Sequence, residues 1–345
     1  MQAREPKGVD VSTLNPDAPS GWDSNPSAWR ERGPLLALAA VGLLISAVLA
    51  AYQFGLLPEP WDPVFGPASS ARVLHSPISR LLPVPDASLG VLGYAAEIVL
   101  GVIGRRTRWR TLPGAVLLFG LVVLGLGVVS MLLLILQGAV VHSWCLLCLA
   151  SAAISIFILS MEPGEALAAA QQVKRTHASG AGWRSALLGI QQKPSDEVAG
   201  APMPEDASYQ RDATAREMLD FSMWAQVASL VLGVWLLIAP GALGYGDPAR
   251  TVERAIGPVV IVVSALALRR VTRPVRYLNL LAGLALLLAP WVFDYTSVPA
   301  IVNSDLVGMA LLGLALAGRR VAGQWAGGWR SLVEKPAALN LPQGR

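Results

Sequence analysis

The stretch "HSWCLLCLASAAISIFILS" (residues 142–160) joins a pair of cysteines to a long apolar run. Cys145 and Cys148 are the two cysteines of the chain, and positions three residues apart share one face of a helix, where the sulfurs can form a disulfide. The first turn of a helix favours an anion, which makes a thiol there the better nucleophile. Two interpretations stay open: a thiol–disulfide exchange site, or two small side chains buried in an apolar helix. His142 adds a third ligand type, but three ligands at one helix end do not make a metal site, so no metal is expected.

The composition of the chain is that of a membrane protein. Of its 345 residues, 54% are hydrophobic and 14% are charged, whereas about a quarter of a soluble protein is charged. The formal net charge is +4, but the basic residues are scattered in short clusters beside apolar runs. That pattern is typical of membrane topology and not of a phosphate-binding face. We therefore expect contacts with membrane lipids and none with nucleic acid.

Apolar runs of roughly 20 residues, the length that crosses a bilayer, recur along the chain. Eight membrane helices are predicted, near residues 34–54, 89–104, 113–137, 143–161, 222–241, 256–268, 277–293 and 300–318. With the N-terminus inside, 23 of the 27 lysines and arginines fall on the inner side and 4 on the outer side. This split predicts a multi-pass protein of the cell membrane with both termini in the cytoplasm. It puts the cysteine pair at the outer, oxidising face.

Changes in composition divide the chain into five parts. A polar segment, 1–32, is predicted to be a disordered cytoplasmic leader, and it lacks the pattern of a signal peptide. The first four spans, 33–161, and the second four, 221–320, are separated by a cytoplasmic linker, 162–220, and a cytoplasmic tail, 321–345, follows. The linker is expected to be either flexible or a helix lying on the membrane surface.

The second half contains an internal repeat. "GVWLLIAPGALGY" (233–245) and "GLALLLAPWVFDY" (283–295) match at Gly, Ala-Pro and Tyr with a spacing of 50 residues. Each copy is two spans, so the copies are parallel, and a proline followed by Trp or Tyr suits a helix that ends at the membrane interface with an aromatic anchor. No charged residue is expected inside these four spans, which argues against an ion pathway, although a transporter stays an open alternative.

The first half resembles the vitamin K epoxide reductase family over residues 33–160. The resemblance rests on Ser143-Trp144-Cys145-Leu146-Leu147-Cys148 at the start of the fourth helix, on the long outer loop "WDPVFGPASSARVLHSPISRLLPVPD" (61–86), and on "DASLGVLGYAAE" (86–97) after it. It implies a four-helix bundle around a quinone, either ubiquinone or menaquinone. The second half resembles the SPW-repeat membrane module, with the Ser-Pro-Trp signature degraded, and is interpreted as a packing or partner-binding module.

The resemblance also implies residue roles. Cys148 would face the quinone and pass electrons to it, while Cys145 would exchange with a second dithiol. The quinone would be bound by Phe65, Asp86, Tyr94 and Trp144, with Phe65 over the ring and Asp86 at a carbonyl. On physical grounds Asp86 is also a candidate helix N-cap. Glu97, inside the second span, is either functional or a protonated, hydrogen-bonded carboxyl.

One departure from the family pattern affects the electron donor. The family's outer loop usually carries its own cysteine pair, whereas this loop has none and Trp61 stands at the position of one of them. Two hypotheses follow. In the first, an extracytoplasmic thioredoxin-like protein delivers electrons directly to Cys145, and the chain is a thiol–quinone oxidoreductase. In the second, the chain is a non-catalytic membrane scaffold that retains the fold.

Overall fold

The computed structural model of the protein describes residues 17–19, 25–77, 79, 83–190, 213–269, 272–317 and 332. Every regular element in these ranges is a helix, which confirms the all-α prediction. The helices are α1 (Trp29–Gln53), α2 (Pro67–Leu74), α3 (Asp86–Val102), α4 (Arg108–Thr111), α5 (Pro113–Ile135), α6 (Leu146–Met161), α7 (Pro163–Ala178), α8 (Trp183–Leu187), α9 (Ala213–Leu243), α10 (Ala249–Ala267), α11 (Leu278–Val292) and α12 (Val298–Leu316). A π-helical turn, Leu136–Val141, continues α5, and a 3₁₀ helix, Arg273–Tyr277, precedes α11.

All eight predicted membrane segments overlap one of these helices, but not all pass as spans. Five are long and apolar enough to cross a membrane: α1, α5 with its π turn, Met223–Leu243 of α9, α11 with the 3₁₀ helix, and α12. The pair α6 and α7, bent by 41°, makes a sixth if it counts as one span. Helix α3 has 17 residues, about 26 Å, and α10 carries charged residues in its first turns. The chain is a multi-pass membrane protein, and the count of eight stays a prediction.

Helices α1, α3, α5 and α6 form the predicted first four-helix bundle. Helices α1 and α5 each pack on both α3 and α6. Gly42 of α1 lies flat against the ring of Tyr94 on α3, where any Cβ would clash, so these two helices approach closely. The apolar core includes Leu35, Ala39, Phe119, Val123, Ala152, Ile156 and Leu159.

The connection before the cysteine pair is shorter than predicted. The predicted spans 113–137 and 143–161 leave residues 138–142 between them, but residues 138–141 belong to the π turn Leu136–Val141. This run is apolar and contains no proline, so the helix of α5 continues with one extra residue in its last turn. His142 ends the turn in the left-handed region, with φ of 51°. Only residues 142–145 then separate the turn from α6.

The first part of the predicted linker is a packed helix. Helix α7 follows α6 directly and packs on α4 and α5, burying Leu167 and Ala168. Helix α8 packs on α5 and α7. The expectation of a flexible segment is therefore wrong for α7, whose small and apolar residues cover part of α5, while a helix at the membrane surface stays a prediction. Residues 191–212 of the linker lie outside the described residues.

A buried ion pair holds this end of the bundle together. Arg108 donates from Nε and Nη2 to the two carboxylate oxygens of Glu165 at 2.7 and 2.5 Å, and from Nη1 to the carbonyl oxygens of Leu100 and Gly101. Arg32 of α1 also donates to the Gly101 carbonyl, at 3.0 Å. The last carbonyls of a helix lack partners within it. The two arginines supply those partners for α3 and join it to α1 and α7.

The predicted leader is ordered close to α1. Asn25 and Ser27 are buried, and the Ser27 hydroxyl donates to Glu165 at 2.5 Å. The Asn25 amide donates to the Arg106 carbonyl at 2.8 Å. The prediction of disorder up to residue 32 is thus wrong for residues 25–32, because polar side chains there pair with the bundle. Residues 1–16, 20–24 and most of the predicted tail lie outside the described residues.

Helices α9 to α12 form the second four-helix bundle, in which each repeat is one helical hairpin. Helix α9 packs on α10 and α12, and α11 packs on the same two helices. The backbones of each hairpin touch at a glycine pair. A Cβ on Gly257 would lie 2.9 Å from the carbonyl oxygen of Gly233, and a Cβ on Gly308 would lie 2.9 Å from that of Gly283. The two parallel copies of the predicted repeat are therefore built alike.

The repeat's aromatic residues have different environments. Trp291, directly after the proline of α11, is 83% exposed, as an interface anchor should be. Tyr245 and Tyr295 are instead buried and pack together with alanines of the four helices. The two tyrosines close the core of the module at the end where α9 connects to α10 and α11 connects to α12.

A buried carboxylate lies inside this module, where no charged residue was expected. Helix α10 begins at Ala249, several residues before the predicted span, and this brings Glu253 into the helix and into the core. Its Oε1 accepts hydrogen bonds from Asn303 and Ser304, both at 3.0 Å, and its Oε2 accepts one from the Tyr245 hydroxyl. The expectation of a charge-free module is wrong at two positions: the start of α10 was placed too late, which left Glu253 outside the span, and Asp305 lies within the predicted span 300–318 and within α12.

Helix α10 also joins the two halves of the molecule. It packs on α5, α6 and the π turn. Its residues Val262 and Ala265 belong to the same apolar cluster as Leu134 of α5 and Ile158 of α6. The second bundle is therefore docked on the two helices that lead to and from the cysteine pair.

Candidate active site around the cysteine pair

Cys145 and Cys148 form a disulfide at the start of α6, with their Cα atoms 5.2 Å apart. Cys145 is the N-cap residue, and its sulfur accepts a hydrogen bond of 3.2 Å from the backbone N–H of Cys148. The first N–H groups of a helix have no partner within it and favour negative charge. One of them, the N–H of Cys148, is directed at the Cys145 sulfur, which becomes a thiolate when the disulfide is reduced.

The two cysteines differ in access. Cys145 is 1% exposed and packs against Leu49 of α1 and against Val73 and Leu74 of α2. Cys148 is half-buried. The resemblance implied that Cys145 is the cysteine met by an external dithiol. In the structure its sulfur lies beneath α2, so a protein partner reaches it only when α2 moves.

Side chains from two other elements hold the backbone at Cys145. Gln137, in the π turn, accepts the N–H of Cys145 through Oε1 at 3.2 Å. Ser69, in the first turn of α2, donates its hydroxyl to the Trp144 carbonyl at 2.8 Å and receives the Trp144 N–H at 3.2 Å. The π turn and α2 thus both hold the backbone segment that leads into α6.

A buried carboxylate, Asp62, joins the outer loop to α6. Its Oδ1 accepts the N–H groups of Val64 and Phe65 at 3.0 and 2.8 Å. Its Oδ2 accepts the N–H of Leu146, the first residue of α6, at 3.0 Å, and the Ser70 hydroxyl at 2.6 Å. Burial by itself raises the pKa of Asp62, but these hydrogen bonds outweigh it, so the pKa lies below its ordinary value.

Asp62 was not among the predicted site residues. An Asp-Pro pair followed by Gly at 66 does signal a turn that the Asp side chain organises. The bond to α6 joins residues 84 positions apart, and no local pattern reports it.

Asp86 lies at the rim of the cysteine cluster in a polar group that includes one unpredicted residue, Gln53. Asp86 Oδ1 accepts hydrogen bonds from the Gln53 amide at 2.7 Å, the Ser79 hydroxyl at 3.0 Å and the N–H of Ala87 at 2.9 Å. Gln53 also donates to the carbonyl of Leu74, which packs on Cys145. Asp86 is the first residue within α3 and not its N-cap. A carboxylate only accepts hydrogen bonds, so donation to a quinone carbonyl requires a proton on Asp86.

Tyr94 is a link between helices. It is fully buried, and its hydroxyl donates to the Ser151 carbonyl at 2.7 Å and pairs with the Ser155 hydroxyl at 2.7 Å, both on α6. Three residues further along α3, Glu97 is also buried, and neither carboxylate oxygen has a hydrogen-bond partner among the described residues. The hydrogen-bonded alternative considered for Glu97 is therefore not found.

Trp144 and Phe65 do not converge on one point. The Trp144 ring faces the second module, with the Arg254 guanidinium carbon 5.4 Å from the ring centroid. Phe65 is partly exposed in the outer loop, and Trp61, at the position of an expected cysteine, is 64% exposed. Of the predicted residues, the structure thus brings together the two cysteines, with Asp86 linked to them through Gln53 and Leu74.

Comparisons with known proteins match each half of the chain to a family. Residues 34–162 match the family described as "Vitamin K epoxide reductase family", and residues 223–318 match the "SPW repeat domain". No curated protein and no solved structure matches the chain significantly. The matched ranges coincide with the two four-helix bundles, α1 to α6 and α9 to α12. The chain therefore carries a vitamin K epoxide reductase family domain at residues 34–162, fused to an SPW repeat domain at residues 223–318.

Proposed function

We propose that the protein is a thiol–quinone oxidoreductase that passes electrons from an extracytoplasmic dithiol, through Cys145 and Cys148, to a lipid quinone such as ubiquinone or menaquinone. The observation that carries this proposal is the Cys145–Cys148 disulfide at the N-terminus of α6, within the domain of a redox family. Supporting it, both cysteines of the chain are in this one pair, so thiol chemistry has a single location.

The proposed chemistry balances in two exchanges. A thiolate of the partner attacks one sulfur of the pair, the Cys145–Cys148 bond breaks, and a mixed disulfide forms. The partner's second thiol displaces it, which leaves the partner oxidised and the pair reduced. The two cysteines then release two electrons and two protons and form their disulfide again. The quinone is the substrate that accepts both electrons and both protons.

Residues of this chain have defined tasks in that scheme. The N–H of Cys148, in the first turn of α6, stabilises a thiolate at Cys145. Gln137 and Asp62 hold the backbone at Cys145 and at the next residue, Leu146, so the sulfurs keep their separation while bonds exchange. Both contacts are to backbone N–H groups, which makes these residues positioning residues.

One part of the surroundings of the cysteine pair is apolar and suits a quinone ring. Leu49, Val73 and Leu74 pack around Cys145, and Tyr52, Ala87 and Leu147 pack against the same cluster. These side chains offer an apolar wall to a quinone head group. Asp86 and Gln53 lie at the edge of this wall. A quinone carbonyl that contacts them there would replace the hydrogen bond from the Gln53 amide to Asp86. Tyr94 and Trp144 are engaged elsewhere, and their contact with the quinone stays a prediction.

The electron donor in this proposal is a separate thioredoxin-like protein. The connection between α1 and α3, residues 54–85, which includes the outer loop, contains no cysteine that could relay electrons. Access to the buried sulfur of Cys145 then requires α2 to move, and Cys148 is the more exposed of the two. The proposed site is the cell membrane, with both termini cytoplasmic and the pair on the outer side, as the distribution of lysine and arginine favours.

Quinone reduction in membranes tests the proposal. Membranes with the full chain, supplied with a reduced thioredoxin-like protein and a soluble quinone analogue, should oxidise the dithiol and reduce the quinone. Cys148→Ala should abolish the reaction, whereas Ser151→Ala, one helical turn away, should retain most of it. An unchanged rate in Cys148→Ala would refute the assignment.

A non-catalytic scaffold is the second candidate, and the burial of Cys145 together with the cysteine-free loop favours it. A scaffold predicts that the two thiols stay reduced and unreactive in native membranes. It also predicts that replacing both cysteines by serine leaves partner binding intact.

A further inference from the structure

Arg254 of α10 is the residue of the second module whose side chain lies on the segment that leads into Cys145. Its guanidinium lies over the Trp144 ring, and Nη1 is 3.4 Å from the Gly138 carbonyl oxygen. Trp144 immediately precedes Cys145, and Gly138 lies in the π turn. The contact therefore falls on the segment that carries the polypeptide into the redox pair.

The fit at this contact is tight. A Cβ on Gly138 would lie 2.8 Å from Cη2 of Trp144 and 3.1 Å from Cβ of Arg254. Glycine is required here because the indole and the arginine stem both lie on its backbone. The quadrupole of an indole ring attracts a cation placed over it, and the attraction is stronger when the pair is shielded from water. The contact therefore restrains the four-residue connection that leads into α6.

Two routes lead from this contact to the first cysteine. One runs along the chain, from Trp144 to Cys145. The other runs through the π turn, where Gln137, next to Gly138, accepts the N–H of Cys145 at 3.2 Å. Arg254 thus holds both the residue before Cys145 and the turn that binds its backbone.

We infer that Arg254 is a positioning residue for the redox pair, and that the SPW module acts as a built-in clamp which favours the disulfide over the dithiol. The inference rests on the proposed function for its biological meaning, but the clamp itself concerns only the two cysteines. The contact is present with the disulfide formed. Because the clamp restrains the backbone at the N-cap, it keeps Cys145 close to Cys148 and disfavours the separation that reduction allows.

Arg250, one helical turn before Arg254, provides a matched control. It carries the same charge on the same helix, is partly exposed, and pairs with Asp247 instead of contacting the turn. An effect of net positive charge would appear in both arginine variants. An effect of the clamp would appear only in Arg254.

Redox titration of the full chain in membranes or lipid nanodiscs tests the inference. The protein is equilibrated in buffers of reduced and oxidised dithiothreitol, quenched, and labelled with a maleimide that adds mass to free thiols. With two cysteines in the chain, the labelled fraction reports this pair alone. Arg254→Ala should shift the equilibrium toward the dithiol by about threefold or more, which corresponds to ~14 mV. Arg254→Lys should shift it less, and Arg250→Ala should match the wild type.

Identical midpoints for Arg254→Ala and the wild type would overturn the inference, as would equal shifts in Arg254→Ala and Arg250→Ala. If Arg254→Ala does not accumulate, Arg254→Lys and Trp144→Phe are titrated in its place. Midpoints of both variants equal to that of the wild type would then overturn the inference. The titration needs no quinone and no protein partner. A wild-type protein that reduces no quinone would refute the proposed function, while the midpoints would still decide whether the clamp exists.

Discussion

At the scale of single residues, the structure around the cysteine pair depends on Asp62. This carboxylate connects the outer loop to the first N–H of α6, so its loss leaves that buried N–H without a partner. Asp62→Ala should cost about 1–2 kcal/mol and loosen the cover over Cys145. After reduction, maleimide should label Cys145 faster in Asp62→Ala than in the wild type. Glu59→Ala, which removes an exposed carboxylate from the same loop, should label at the wild-type rate; equal acceleration in both would contradict this role.

The same residue predicts a pH dependence. The folded-state pKa of Asp62 lies below the ordinary value of 3.8, so its stabilising contribution is complete above that value and is lost as the pH falls through the lower, folded-state value. Labelling of Cys145 at the end of short acid pulses below pH 4, quenched at neutral pH, should rise in the wild type. Asp62→Asn should remove most of this rise, and a rise of equal size in the variant would assign it to another group.

The buried Arg108–Glu165 pair predicts a large effect on stability. Removing one partner leaves the other charge buried and unpaired, which costs about 3–5 kcal/mol. Glu165→Gln should therefore lower the thermal unfolding temperature in detergent markedly. The exposed pair Asp247–Arg250 is a control, because breaking it in Arg250→Ala should cost at most about 1 kcal/mol. Similar losses in both variants would show that Glu165 is not paired as described.

At the scale of elements, the glycine contacts of the repeats decide how closely the helices pack. Gly308→Ala on α12 would push against the Gly283 carbonyl, and overpacking of this kind costs about 1–3 kcal/mol. Gly313→Ala, on the same helix with open space around it, should be neutral or stabilise the helix by up to about 1 kcal/mol. Thermal unfolding of both variants in one detergent checks the difference. A loss in Gly313→Ala as large as in Gly308→Ala would contradict this packing.

The elements also show what could be read from the sequence. The length of the apolar runs located eight segments that overlap helices, and the spacing of the two cysteines showed that they could pair, because both signals are local. Helix ends were harder to predict from the sequence. Helix α10 begins at Ala249 because Pro248 precedes it, and the predicted start, several residues later, left Glu253 outside the core. The fixed spacing of Gly and Tyr in the repeat was enough to predict two parallel hairpins.

Most of the contacts that build the site could not be predicted from such local signals. Gln53, Asp62 and Arg254 act on residues far away in the chain, and their own neighbourhoods are those of ordinary polar residues. Trp144 was assigned to the quinone from the resemblance, and its contact with Arg254 was not anticipated; its contact with a quinone stays a prediction. Spacing tells which side chains share a helix face, and only the packing of helices tells what that face meets.

At the scale of the whole molecule, the two bundles form one unit in which α10 packs on α5, α6 and the π turn. This arrangement offers a physical reason for the fusion: the SPW module contacts the segment that positions the redox pair. In the proposed function, the cysteine-free loop leaves the supply of electrons to another protein, so the redox state of the pair should follow both that donor and the quinone.

The most direct test of the central claim is the redox state of Cys145 and Cys148 in native membranes. Free thiols are blocked with one alkylating reagent, the disulfide is reduced, and the released thiols are labelled with a second reagent of different mass. The account predicts a substantial disulfide fraction that falls when quinone is depleted and recovers when quinone is restored. Two cysteines that stay reduced, whatever the quinone supply, would contradict it and leave the scaffold as the better explanation.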